Sequence, residues 1–283
     1  MSLVERSTNN RMLLPWLRGI GCFPAGCGAP PIMVAGYNGD TDKVRRLLSL
    51  GADVNTFDRG FTPLITSLQS ARLDTARLLI GSGANVNVIT PDGESVLALA
   101  AHGGYLEIAS LLIERGADVN FVTGKGETPL LFAAIMGRTE VVDLLIRRGA
   151  KLDACNWLGR TPLMEAAFYG HQSVIEMLVR AGADPDAADN HGGTALIFAT
   201  VRGHRDAVRL LLEVGANLHR TDHSGYNALM IASVKGFAGI VTLLLDHGAN
   251  PHHFGRDGAS ALTLAQGAGY AGIAALLNGA IAQ

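Results

Sequence analysis

Three cysteines and nine histidines are the side chains in this 283-residue chain best suited to nucleophilic attack or metal ligation. Cys155 and His191 have the residue types of a thiolate–imidazole pair, yet no third orienting group accompanies them. A thiol in a tolerant turn position is the better reading. Cys22 and Cys27 offer two of the four ligands that a structural zinc ion takes. His219, His223, His247, His252 and His253 crowd the C-terminal part of the chain. His219 and His252 occupy the same position of a repeating pattern, which sets them about one helix diameter, roughly 10 Å, apart. One ion bound at ~2 Å cannot reach both. Gly267, Gly269 and Gly272 match the Gly-x-Gly-x-x-Gly spacing. The dinucleotide fingerprint also needs a preceding strand and an acidic residue ~20 positions later, and neither is available before Gln283. No phosphate loop and no Gly-x-Ser-x-Gly elbow is present. These residues predict no catalytic centre, no metal and no cofactor.

Composition excludes further classes. Lysine and arginine number 23 against 25 aspartate and glutamate, a net charge of −2. That balance supplies no basic footprint for a nucleic-acid backbone. Charged residues are 17% of the chain, below the usual ~25%, and mean hydropathy is positive, so disorder is not the dominant state. An odd, widely spaced set of cysteines rules out a disulfide framework.

The elements that position every side chain show themselves as a period. Gly-Ala begins at Gly51, Gly83, Gly116, Gly149, Gly182, Gly215 and Gly248, in steps of 32 and then 33 residues. Leu47, Leu79, Leu112, Leu145, Leu178, Leu211, Leu244 and Leu277 keep the same clock. So do Leu64, Leu97, Leu130, Leu163, Leu196, Leu229 and Leu262. A glycine series at Gly39, Gly104, Gly137, Gly170, Gly203, Gly236 and Gly269 has its one gap filled by Ala71. Fixed-period self-similarity of this length is the mark of a repeat architecture.

One unit, 128–160, shows the physics. Thr128 is an N-cap and Pro129 sits at the first helical position, where a missing N–H costs nothing. Leu130, Ala133 and Ala134 make a small-residue face that admits a second helix closely. Gly137 ends that helix. Val141, Val142, Leu144, Leu145 and Ile146 form a second, more apolar helix ended by Gly149. Residues 153–159 then make an extended finger turning at Gly159. Such a unit cannot bury its apolar faces alone, so neighbours must stack.

These residues resemble the ankyrin repeat family. Its pattern appears as Thr161-Pro162-Leu163, Ala166-Ala167, Gly170-His171 and Gly116-Ala117-Asp118-Val119-Asn120. Eight units start near Pro30, Thr62, Ser95, Thr128, Thr161, Thr194, Asn227 and Ser260. One departure is consistent. The histidine of the family's Thr-Pro-Leu-His is replaced by Met33, Ile65, Ala98, Leu131, Met164, Ile197, Met230 and Thr263, so apolar packing is expected to stand in for its hydrogen bonding. The resemblance implies an all-α repeat solenoid of about eight helix-turn-helix units with β-turn fingers. It also implies a non-catalytic scaffold or adaptor that binds one or more proteins through its concave finger and inner-helix surface. Residues 30–283 form that array on this reading, and 1–29 form an apolar extension.

The variable positions of the pattern carry the expected site. Fingers place Phe57, Phe61, Trp157, Leu158 and Tyr226, and the last exposed positions of the first helices place Ile135, Met136, Phe168 and Tyr169, where solvent is expected. Large apolar residues at exposed positions mark an interface, and Trp and Tyr are favoured anchors. The alternative is that these rings pack sideways and stiffen the array. The ends carry a second signal. Residues 258–283 hold no charged side chain, and Ile273, Leu276, Leu277 and Ile281 are expected to leave an apolar outer face. Leu14, Trp16 and Leu17 belong to an apolar, Gly- and Pro-interrupted N-terminal segment that is too broken for a spanning helix and too interrupted for a signal peptide. Two further readings therefore stay open. One is a structural subunit of a larger assembly, held by its apolar termini through self-association or docking on a membrane complex. The other is a regulatory subunit that blocks an enzyme. No nucleic acid and no obligatory small molecule is expected as a partner, and the cytoplasm is the expected location.

Overall fold

A computed structural model describes residues 28–282. They fall into two compact units, 28–151 and 152–282. Leu14, Trp16, Leu17, Cys22 and Cys27 lie outside the described residues.

Unit 28–151 holds four helix pairs. These are α1 (Pro31–Asn38) with α2 (Thr41–Ser49), α3 (Pro63–Gln69) with α4 (Leu73–Gly81), α5 (Val96–Gly103) with α6 (Leu106–Glu114), and α7 (Pro129–Ile135) with α8 (Thr139–Arg147). Unit 152–282 holds four more. They are α9 (Pro162–Tyr169) with α10 (Gln172–Arg180), α11 (Ala195–Arg202) with α12 (Arg205–Glu213), α13 (Ala228–Lys235) with α14 (Ala238–Asp246), and α15 (Ala261–Gly267) with α16 (Ala271–Ile281). Among the described residues there are sixteen helices and no strand, only three isolated bridges, each within one finger.

Helices of seven to eleven residues are too short to stand alone in water. Capping and stacking supply what length does not. The hydroxyls of Thr62, Ser95, Thr128, Thr161, Thr194 and Ser260, and the Asn227 amide oxygen, each accept from the backbone N–H three residues on. Within each unit first helices pack on first helices, α1·α3, α3·α5 and α5·α7, then α9·α11, α11·α13 and α13·α15. Second helices do the same, α2·α4, α4·α6 and α6·α8, then α10·α12, α12·α14 and α14·α16. The periodic leucines fill the seams. Leu64, Leu97, Leu130, Leu79, Leu112 and Leu145 are fully buried in the first unit, and Leu163, Leu178, Leu211, Leu244 and Leu277 in the second.

The replaced histidine position follows the sequence expectation. Met33, Ile65, Ala98, Leu131, Met164, Ile197 and Met230 are buried. Thr263 is the exception. It is exposed and completes a capping box with Ser260.

Two backbone devices join neighbouring repeats. The glycine after a first helix adopts a left-handed φ, +74° at Gly170 and +80° at Gly236, and a side chain of the next repeat lies across it. A Cβ on Gly170 would stand 2.8 Å from the His204 ring, and one on Gly236 would stand 2.6 Å from Tyr270. Ala71 takes the same left-handed bend at φ +54°, which costs an L-residue roughly 1–2 kcal/mol. In the fingers, the last asparagine of Asn85-Val86-Asn87 and of Asp118-Val119-Asn120 ties to the next repeat. Asn87 accepts from the Asp118 N–H and donates to the Gly116 carbonyl. Asn120 accepts from the Lys151 N–H and donates to the Gly149 carbonyl.

Leu145 is 0% exposed at the shared seam position. Leu145→Ala should cost about 2–5 kcal/mol, the range for truncating a buried leucine, measured by urea unfolding followed by circular dichroism. A loss below about 1 kcal/mol would contradict the register.

Candidate functional site

In unit 152–282 the site is built from the finger before α9, the end of α9, the next finger and the end of α11. Trp157 is 61% exposed. Its carbonyl accepts from the Asn190 side chain at 3.0 Å, and the Leu158 carbonyl accepts from the Asn190 N–H at 3.0 Å. The next fingers are joined in the same way, His223 N–H to His191 O at 2.8 Å and Arg256 N–H to Ser224 O at 3.0 Å. The indole therefore stands in solvent on a fixed finger. Leu158 is half-buried.

The same unit holds a stack of rings and guanidinium groups. The Arg160 guanidinium sits 4.5 Å from the Phe198 ring centroid and 5.5 Å from that of Phe168. Arg202 sits 4.9 Å from the Phe168 centroid. Phe168 meets Phe198 edge-on at 6.1 Å and Tyr169 edge-on at 5.1 Å, and Tyr169 stacks on His171 at 6.0 Å. Phe168 and Tyr169 are half-buried. Burial, then the nearby Glu165 charge, pushes the Tyr169 hydroxyl up to about 12. Burial also lowers His204, whose Nε2 lies 3.1 Å from the Phe168 carbonyl.

Arg160 is held by two buried carboxylates, Glu165 and Asp189, each at 3.8 Å. Arg160 Nε and Asp189 Oδ2 are buried without a hydrogen bond, so their attraction is purely ionic. The other Asp189 oxygen accepts from the His191 and Gly193 N–H groups at 2.9 and 2.7 Å and shapes the finger. Sequence reasoning missed this cluster. The available signal was Glu165, a charge at a helix position where other repeats carry Thr66, Leu99, Phe132, Phe198, Ile231 and Leu264.

Three sequence expectations are corrected in this unit. Tyr226 does not project into solvent. It is buried against Gly255, and its hydroxyl donates to Asp257 Oδ2 at 2.7 Å, tying one finger to the next. Ile273 and Leu277 do not line an open face. The 3.6-residue period turns both inward with Ala274, where they are buried. Leu276, 42% exposed, is left outside, and Ile281 is half-buried. Cys155 is exposed on its finger. Among the described residues no three His, Cys, Asp or Glu side chains stand together as a metal site.

Unit 28–151 presents a different set. Phe57 is 69% exposed, and Ile89 and Val122, at the same position of the next two fingers, are exposed as well. Phe61 is half-buried and its backbone pairs with Asp58 across the turn. Ile135 and Met136 are half-buried at the end of α7. At the finger bases Glu94 and Glu127 share one position of successive repeats. Glu94 is 4% exposed and its Oε1 has no hydrogen-bond partner. Burial, then Asp92 and Glu127, pushes its carboxyl up to about 8. Burial raises Glu127 as well.

The family model described as ankyrin repeats (3 copies) matches residues 6–90, 72–156, 97–189, 154–222 and 182–254. These overlapping matches cover most of the chain, which belongs to the ankyrin repeat family. Its repeats are generally protein-interaction modules rather than catalysts. A curated relative, the human DNA-binding protein RFXANK, is 34% identical over 87 residues, which are 30% of this chain and 34% of the relative. The match thus spans about a third of that relative's length. Among the described residues no helix is long and apolar enough to cross a membrane.

Two measurements check the buried charges. Glu94 has a folded pKa above its unfolded one, near ~4.3, so the protonated form favours the fold. Stability should be full at low pH and fall as pH rises towards about 8. Glu94→Gln should flatten that decline in thermal melts between these limits. An unchanged profile would remove Glu94 as its source. Separately, Asp189→Asn keeps the finger's acceptor oxygen but strips the charge from Arg160. A loss of about 2–3 kcal/mol in urea unfolding is expected, short of the full cost of breaking a buried pair because Arg160 keeps some water.

Proposed function

We propose that the chain is a non-catalytic scaffold or adaptor that binds a partner protein through its fingers and first-helix ends. The observation that carries this reading is Trp157. A large ring stands 61% exposed on a finger whose backbone is pinned at two carbonyls. Holding such a ring in water is unfavourable, and a fixed aromatic anchor loses little freedom on binding. Phe168 and Tyr169, half-buried at the end of α9, add apolar surface in the same unit. Phe57, with Phe61 at its flank, offers a second anchor in unit 28–151, where Ile135 and Met136 also lie half-exposed. The array is taken as residues 30–283 and the cytoplasm as its place.

A protein partner fits the charge balance. RFXANK is a DNA-binding protein by name, but the net charge of −2 in this chain supplies no footprint for a nucleic-acid backbone. The reading as a subunit held by its apolar termini is weakened at the C-terminal end by the burial of Ile273 and Leu277.

The test is capture of partners from the native source, followed by titration calorimetry of the recovered protein. Trp157→Ala and Tyr169→Ala should each weaken binding by about 2 kcal/mol, the size of a hot-spot truncation, with helical content unchanged. A double variant that binds as tightly as the wild type would overturn the reading.

A further inference from the structure

Two fingers of unit 28–151 are closed by a glutamate. The Glu94 N–H donates to the Thr90 hydroxyl at 3.1 Å, and the Glu94 carbonyl accepts from the Thr90 N–H at 2.8 Å. Glu127 repeats the construction on Thr123, at 3.0 and 2.9 Å. In unit 152–282 the closing carbonyl belongs to Arg160, Gly193, Tyr226 and Ala259, none of them an acid. Glu94 is fixed on both sides. Its backbone closes the finger, and the next residue, Ser95, caps α5 by accepting from the Ala98 N–H. Its side chain is buried, and Oε1 has no hydrogen-bond partner. A neutral carboxyl tolerates such a place far better than a carboxylate does.

The groups around Glu94 do not rescue the anion. Burial first, then Asp92 on its own finger and Glu127 on the next, oppose ionisation, and Lys125 offsets them least. On the preceding finger Asp58 and Arg59 face each other at 4.0 Å. Helices α3, α5 and α7 carry one titratable side chain, His102, which burial lowers and so leaves uncharged at neutral pH and above.

We propose that the finger 85–94 is a proton-gated element, held closed by protonated Glu94 and opened when that proton passes to solvent. The carboxylate reaches water by lifting the finger, which breaks the closure on Thr90 and the bridge between Ile89 and Ser95. Opening withdraws Ile89 from the exposed apolar set that it forms with Phe57 and Val122 on three successive fingers. Low pH therefore presents that set, and rising pH takes it away. The effect on binding rests on the protein-binding reading, whereas the opening does not. Linkage sets its size. With the closed carboxyl at about 8 and an open one near ~4.3, the open fraction rises about tenfold per pH unit between those values and then levels off.

The experiment is amide hydrogen exchange of the full chain between pH 5 and 9, corrected for base catalysis of the chemical step. Protection of the Thr90, Gly93 and Glu94 amides should fall about tenfold per pH unit until about 8 and then level off. At every pH it should stay well below that of the Ala100 and Ala101 amides in α5. Glu94→Gln keeps the shape without the acid and should hold the finger's protection constant. Glu127→Gln removes one opposing carboxylate and should move the levelling-off to lower pH. A flat profile in the wild type or an undiminished slope in Glu94→Gln would overturn the inference. So would finger protection equal to that of α5 at every pH, which marks unfolding of the whole unit. None of these outcomes depends on whether Trp157→Ala weakens partner binding, so the two readings fail separately.

Discussion

Everything in each unit hangs on the bend that follows a first helix. A left-handed residue there lets the chain reverse within two positions and start the second helix antiparallel to the first. At Gly170 and Gly236 the same residue must also be bare, because a side chain of the next repeat lies against it, His204 over Gly170 and Tyr270 over Gly236. Arg138 does this over Gly104 and donates from Nε to the His102 carbonyl at 3.1 Å. One glycine therefore serves the turn within its own repeat and the contact with the next. Without it, short helices would lack both their partner and their neighbour. Ala71 shows how narrow the requirement is. It takes the left-handed bend with a methyl group at an exposed position.

The fingers have no ladder of long strands to steady them and are held by single ties between repeats. Asparagine side chains, the His191, Leu158 and Ser224 carbonyls, and the Tyr226–Asp257 hydrogen bond do that work. This economy has a functional result. A finger whose backbone polar groups are satisfied by its neighbour can leave its side chains to solvent, and Trp157 is the largest one so left. Tyr226 is the converse case, since its hydroxyl was needed as a tie and its ring was drawn inward.

One position of the repeat is used for opposite electrostatics. The residue before the N-cap is Glu94 and Glu127 in unit 28–151, and Arg160 in unit 152–282. Burial raises both glutamate carboxyls, and the nearby Lys125 offsets this only in part. Arg160 gains two carboxylates and two aromatic faces. Burial of charge is tolerated where partners surround it and answered by neutralisation where they do not.

The period, the helix pairs, the N-caps and the buried leucines were legible in the sequence. Each depends on residues within one unit or on a position repeated in every unit, and repetition makes a local rule visible. The apolar fate of Met33, Ile65 and Met164 followed from the same logic. What the sequence could not show is which variable side chains turn out. Trp157 and Tyr226 both sit at non-repeating finger positions, and both are large aromatics. One is held in solvent and the other buried, because only Tyr226 meets a carboxylate and a bare glycine on the next finger. Ile273 and Leu276 differ likewise, three residues apart on one helix, with Leu276 turned about 60° to the flank of the stripe that Ile273 and Leu277 bury. The ring stack needed Arg160, Glu165, Asp189, Phe198 and Arg202 together, drawn from three repeats, and no single repeat contains the reason for it. Sequence alone determined the period and the core, since those are set by short-range geometry. Tertiary structure decided the charges and the exposed rings, because their energies depend on what the neighbouring repeat places within a few ångströms.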